Sequence, residues 1–338
     1  MTFKSTLLSV LERILAPLLS PILTYLALKK MGILGMNQRN AEFIAQYNPR
    51  KFYPLVDDKL LTKNLAIKAS IAVPELYAVI EIEHQVVHLE KMIAPYSSFV
   101  IKPAQGSGGD GIVVIVGRRG PNYKRSDGIL MHADELKHHV SNILSGMYSL
   151  GGHPDKAMVE YRVEFDPLFR EISYQGVPDI RVIVFKGYPV MSMVRLPTRL
   201  SSGKANLHQG AVGVGVNITN GETHFGVWQN HVVEHHTDTG NPISGLQIPD
   251  WERLLTISAS CYELTGLGYI GVDLVLDRDK GPLMLELNAR PGLAIQIANR
   301  TGLAPRLALI KKRCAQQKES IQSRVAFVQK TFVHQPLW

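Results

Sequence analysis

Two kinds of periodicity divide the chain. Apolar residues recur at helical spacing over 58–70 (Leu60, Leu61, Leu65, Ile67), over 134–149 (Leu136, Val140, Ile143, Leu144, Met147) and over 250–266 (Leu254, Ile257, Cys261, Leu264). Each set repeats every three or four residues and predicts a helix. Asp58 and Asp250 stand where an N-cap belongs, and Gly266 stands at a helix end. A last amphipathic helix begins near Pro305 and runs to about residue 324. Runs rich in β-branched and aliphatic residues predict strands at 99–102, 112–116, 157–163, 180–186, 189–196, 269–277 and 282–288. Residues 37–53 mix polar and aromatic side chains and read as a connector. Strands and helices do not alternate regularly, so the order predicts an α+β protein of two lobes, not a doubly wound sheet.

Residues 7–28 are strongly apolar but carry Glu12 and Arg13, and Pro17 and Pro21 interrupt them. The uninterrupted part, 14–28, is shorter than the roughly 20 residues a spanning helix needs. Lys29-Lys30 follow where a signal peptide would place small residues. The segment reads as a helical hairpin packed on the protein. Its second reading is a docking surface for a membrane partner, peripheral to the inner face of the membrane. Composition changes this picture little: 45% hydrophobic and 20% charged residues are ordinary for a globular chain. The two cysteines, Cys261 and Cys314, cannot build a disulfide framework and suit a reducing, cytoplasmic setting. A formal charge of +8 without basic blocks interleaved with aromatics favours a small anionic ligand over nucleic acid.

The candidate chemistry centres on 269–288, read as a hairpin turning through Arg278-Asp279-Lys280-Gly281. Glu286 and Asn288, two apart on a strand, leave the same face, and Asp273 can fall opposite them. Two carboxylates and an amide oxygen, with no Cys or His, suit Mg²⁺ held together with phosphate oxygens, not zinc. Residues 103–111 form a glycine-rich loop containing Gly106, Ser107, Gly108 and Gly109 between two strands. That setting differs from P-loops and dinucleotide turns, which place phosphate at a helix N-terminus. A loop between strands makes a flap whose N–H groups can close over a polyphosphate, with Lys102 supplying a fixed charge. Arg195, Arg199 and Lys204 surround a polar loop leading to His208, and could stabilise charge on a transferring group.

Together these pieces resemble the ATP-grasp superfamily, specifically the ligases related to the ribosomal protein S6 glutamate ligase. A nearer likeness is to the alpha-L-glutamate ligase-like proteins, which share the short apolar N-terminus. The matching run covers residues 58–292 and ends in Glu286-Leu287-Asn288-Ala289-Arg290-Pro291-Gly292. The resemblance implies an ATP-grasp fold at 55–325 with a flap lobe at about 98–155, a helical segment and connector at 1–54, and a tail at 326–338. It implies that Lys59 and Lys102 bind ATP phosphates, and that Glu160, Tyr161, Arg162 and Val163 line adenine mostly through backbone atoms. Asp179 and the Lys204-Ala205-Asn206 run would contact the nucleotide, and Arg195 and Lys204 would act in catalysis. Arg199, His208 and Arg290 would bind substrate. Asp273, Glu286 and Asn288 would hold one or two Mg²⁺ ions, with Mn²⁺ able to substitute.

The implied activity joins an amino acid such as glutamate to a peptide or small-molecule acceptor through an acyl phosphate. A second reading is a non-catalytic nucleotide-binding partner of a membrane-associated complex. Three departures stand out. The N-terminal α/β domain of many ATP-grasp enzymes is replaced by helix and connector. The interval from Glu160 to Asp179 is lengthened by a stretch containing Phe165-Asp166-Pro167-Leu168-Phe169. Lys204 replaces an Arg, which keeps charge but loses bidentate geometry.

Overall fold

A computed structural model describes residues 23–106, 108–149, 151–316 and 318–333. Its strands form two antiparallel sheets, as the irregular order of elements predicts. The smaller holds β1 (Leu76–Ile80), β2 (Phe99–Pro103), β3 (Val113–Arg119), β4 (Asn122–Arg125), β5 (Leu130–Met131) and β6 (Ala157–Glu160), in the order β1-β6-β2-β3-β4-β5. The larger holds β7 (Asp179–Phe185), β8 (Tyr188–Leu196), β9 (Val212–Val216), β10 (Thr223–Trp228), β11 (His231–Val233), β12 (Tyr269–Asp277) and β13 (Gly281–Asn288). Its order is β11-β10-β9-β8-β7-β12-β13. Each sheet has its own core. That of the small sheet includes Phe99, Ile101, Ile115 and Val159 with Leu136, Val140 and Ile143 of the helix Ala133–Leu144. β7, β8 and β12 are buried along their whole length except Arg181, half-buried on β7. The helix Trp251–Thr265 packs on these strands with Leu254, Leu255 and Cys261 in the larger core.

Several local expectations are corrected. Residues 37–53, read as a connector, are largely helical: turns run through Met36–Gln38, Arg39–Ile44, Ala45–Tyr47 and Arg50–Phe52. The middle turn is a π-helix, which breaks the 3.6 period and hides the pattern. Phe43 packs edge-on to Phe185 at 5.5 Å, and Asn48 donates to the carbonyls of Tyr269 (2.6 Å) and Ala289 (3.0 Å). The helix Lys59–Lys68, α1 hereafter, forms with Asp58 accepting from Leu61 N at 2.9 Å. Its buried face, however, is Leu60, Thr62, Lys63 and Ala66, while Leu61 and Ile67 are exposed. Asp250 precedes its helix without a side-chain cap. The last amphipathic stretch is two helices, Ala304–Cys314 and Ile321–Thr331, the second capped by Ser320. The second buries Val325 and Val328, so packed structure continues beyond residue 326.

Close packing of β9 on the turn Ile295–Ala298 depends on one missing side chain. A Cβ on Gly215 would meet the carbonyl oxygen of Ala298 at 2.2 Å. Backbone cannot step aside as a flexible side chain can. Gly215→Ala is therefore expected to cost about 1–3 kcal/mol, read as a lower urea midpoint at unchanged m-value.

Candidate active site

Four neighbouring strands of the large sheet each place charge on one face. Arg195 on β8 lies opposite Asp179 on β7, and Asp273 on β12 lies opposite both Arg181 on β7 and Glu286 on β13. The two-residue period puts Asp179 with Arg181, and Glu286 with Asn288, on a common side. Arg195 binds Asp179 through Nε and Nη2, both at 2.5 Å, and reaches Asp273 Oδ2 at 2.8 Å. Arg181 grips Asp273 at 2.6 and 2.5 Å, and Asn288 Nδ2 donates to Asp273 Oδ2 at 3.1 Å. Burial opposes a charge on Asp273, but the two guanidiniums outweigh it and hold the carboxyl below its usual range.

A second cluster lies on the small sheet. Glu160 on β6 is fully buried and pairs with Lys102 on β2 and with Lys63 of α1. Burial alone would raise its carboxyl, yet Lys102 and Lys63 together hold it below its ordinary 4.5. Lys59 bridges the two sheets. Its backbone N–H donates to the Ala104 carbonyl at 2.9 Å, its ammonium to the Gly106 carbonyl, and it stands 3.9 Å from Glu286. Burial pushes the Lys59 ammonium below its ordinary value, the Glu286 charge countering it.

The flap closes against the large sheet's loops. Lys204 pairs with Asp110 at 2.9 Å, and Gln209 Nε2 donates to the Gly108 carbonyl at 3.4 Å. Gly108 and Gly109 hold positive φ, +65° and +80°, which lets the loop double back over the cleft. Ser107 lies outside the described residues, as does most of 7–28.

The other expected residues are spread around this centre. Residues 161–164 link the sheets: Tyr161 N donates to the Glu75 carbonyl at 2.8 Å, and its hydroxyl to Asp277 at 3.0 Å. Arg162 pairs with Glu164, and Val163 packs with Val275 and Leu283. Asn206 accepts from His208 N at 3.0 Å, while the His208 ring is exposed. Arg199 lies over Tyr174 at 5.3 Å and Arg290 over Tyr53 at 5.3 Å, each against an aromatic ring and outside the charged ladder. The lengthened segment after Glu160 forms the turn Pro167–Ile172, which with Pro242 and Leu246 borders a separate cavity of 380 Å³. Sequence reading missed Lys63, Asp110, Arg181 and Gln209. Lys63 was legible as i+4 from Lys59, and Arg181 as i+2 from Asp179; the flap contacts had no local signal.

Among the described residues no group of three His, Cys, Asp or Glu lies together; Asp273, Glu286 and Asn288 offer oxygens, which would suit a hard cation. Asp273 accepts four hydrogen bonds, three at Oδ2 and one at Oδ1, so a lone pair remains open on Oδ1. Turning the Asn288 amide over would relieve the crowded Asp273 Oδ2 and present Asn288 Oδ1 in the same motion. Glu286, half-exposed, lies opposite Asp273 on β13, and the three residues would offer oxygens to one ion.

Two antiparallel sheets joined across a cleft lined by Lys59, Lys102 and Glu286 are those of an ATP-grasp fold. The chain belongs to the sugar-transfer associated ATP-grasp family, whose family model matches residues 38–312. Among solved structures it is similar to D-alanine–D-alanine ligase from Bacillus anthracis, at 14% identity and a TM-score of 0.43, over 82% of this chain and 69% of that one. The ATP-grasp ligase PsnB in complex with a minimal precursor is similar at 15% identity and a TM-score of 0.40, over 80% of this chain. The chain spans 63% of the length of PsnB. The ADP complex of purK, N5-carboxyaminoimidazole ribonucleotide synthetase, is similar at 13% identity and 0.41, over 70% of this chain and 45% of that one. A search of curated proteins gave no match.

Proposed function

We propose that the chain is an ATP-dependent carboxylate–amine ligase, ADP-forming, which activates a carboxylate as an acyl phosphate and passes it to an amine. The observation that carries this reading is the placement of Lys63 and Lys102 on one buried carboxylate, Glu160, with Lys59 beside Lys102 and facing Glu286 across the cleft. Three lysines against Glu160 and Glu286 leave positive charge in excess, which calls for a polyanion, and a triphosphate supplies it. In this reading Lys102 and Lys59 bind phosphate oxygens, and the flap excludes water once Asp110 and Lys204 meet. Glu286, Asn288 and Asp273 would hold Mg²⁺, which when bound neutralises charge on the transferring phosphoryl group. Arg195, clamped by two aspartates, fixes the Asp273 carboxylate in place, while Lys204 on the opposing loop pairs with Asp110 of the flap.

The glutamate-ligase likeness supports glutamate as one of the joined amino acids. The sugar-transfer association of the family adds amino sugars to the amines to be tried. Purified protein with ATP, Mg²⁺ and panels of carboxylates and amines is expected to release ADP and phosphate together with an amide product. Release of AMP, or no nucleotide turnover with any pair, would sink the ligase reading. Leu23, Tyr25, Leu26 and Leu28 are exposed on the helical stretch entering the domain, which favours peripheral docking of the N-terminus. Among the described residues no helix is long and apolar enough to cross a membrane.

A further inference from the structure

Lys63 lies one helical turn beyond Lys59, so both ammonium groups leave α1 toward the small sheet. Its side chain is 4% exposed, a rare state for lysine. It donates to the Pro74 carbonyl and stands 2.8 Å from Glu160 Oε2, while Lys102 takes Oε1. The Lys63 contact with Glu160 is an ion pair without hydrogen-bond alignment, since Oε2 has no hydrogen-bond partner. Glu160 is thus shared by two lysines, and the group Lys59, Lys63, Lys102 and Glu160 sums to +2. Without Lys63, Glu160 would face Lys102 alone and the sum would fall to +1.

We infer that Lys63 is a positioning residue for nucleotide binding: it neutralises Glu160, and Lys102 thereby keeps its charge for the phosphates. The inference rests on the nucleotide-binding reading above. Lys63 itself, shielded beneath Glu160, does not touch the nucleotide. Its effect is electrostatic, and removing Glu160 along with it should restore the field. A purely packing role would instead make the two losses accumulate.

The test is calorimetric titration of Mg–ADP into the full chain and into Lys63→Met, Glu160→Gln and the double variant, with thermal melts alongside. Lys63→Met is expected to weaken ADP binding about tenfold to a hundredfold, the effect of one unit charge roughly 6–12 Å away at an effective dielectric near 20. The double variant, back at +2, is expected to recover affinity to within about threefold of wild type. Glu160→Gln alone, at +3, keeps the backbone atoms through which residue 160 is expected to line adenine and is expected to bind at least as tightly as wild type, a result that stands even if Lys63→Met folds poorly. A double variant weaker than Lys63→Met, an unchanged Lys63→Met, or a Glu160→Gln weakened tenfold overturns the inference. Absence of ADP binding by the wild type overturns the nucleotide reading itself, and the inference with it.

Discussion

Lys102→Met is expected to lower kcat/KM for ATP by about a hundredfold to a thousandfold, the usual loss when one fixed charge is removed from a transferring group. The side chain sits at the end of β2, where the flap begins, and is 9% exposed with its ammonium on Glu160. It cannot be replaced from nearby: Lys59 is committed to the Gly106 carbonyl and Glu286, and Lys63 to Glu160 and Pro74. The substitution also leaves Glu160 with one cation, so stability should fall as well. Urea melts separate the two effects, and Lys102→Arg, which keeps charge, should recover stability more fully than turnover. Because the Glu160 carboxyl is held below its ordinary 4.5, its contribution to wild-type stability is complete above that pH and is lost as pH falls through the lower folded value. Unaltered ATP kinetics in Lys102→Met would remove the small-sheet cluster from the proposed site.

Asp273→Asn and Glu286→Gln should part company although both remove a carboxylate from the same proposed ion site. Asp273 is 1% exposed and neutralises Arg181 and Arg195 together; an amide would leave buried guanidinium charge with Asp179 as its remaining partner in the ladder. Breaking such a pair costs about 3–5 kcal/mol, so Asp273→Asn is expected to unfold at much lower urea. Glu286 is 37% exposed and 3.9 Å from Lys59, and its loss should cost less than about 1 kcal/mol. Glu286→Gln is nevertheless expected to lose activity and to need more Mg²⁺ for half-maximal rate. Equal stability losses in the two variants would contradict the picture of a buried anchor beside an open ligand.

The divergence shows what a strand pattern can and cannot say. Alternation along β13 put Glu286 and Asn288 on one face, and the paired apolar runs around the turn at 278–280 put Asp273 opposite them; the register Asp273 to Glu286 confirms both. The flap between two strands and the α+β order of elements were equally legible, because each depends on residues close together in the chain. α1 was misread in its buried face for the opposite reason. Local periodicity treats Leu61 and Ile67 as core and Lys63 as surface, whereas β2 and β6 bring Lys102 and Glu160 beneath the helix and make a buried lysine favourable.

The π-helical turn at Arg39–Ile44 escaped notice because its period matches no sequence template. Composition and motif order by themselves determined the fold class and picked out the candidate lysines and hard-oxygen residues, all of which are properties of residue type and short-range spacing. Tertiary structure alone decided that Arg195 is a buried clamp, that Lys204 meets Asp110 across the flap, and that Lys63 shares Glu160. Those are contacts between segments far apart in the chain, set by strand pairing and burial, and charge at one position carries no record of which opposite charge the fold will bring to it.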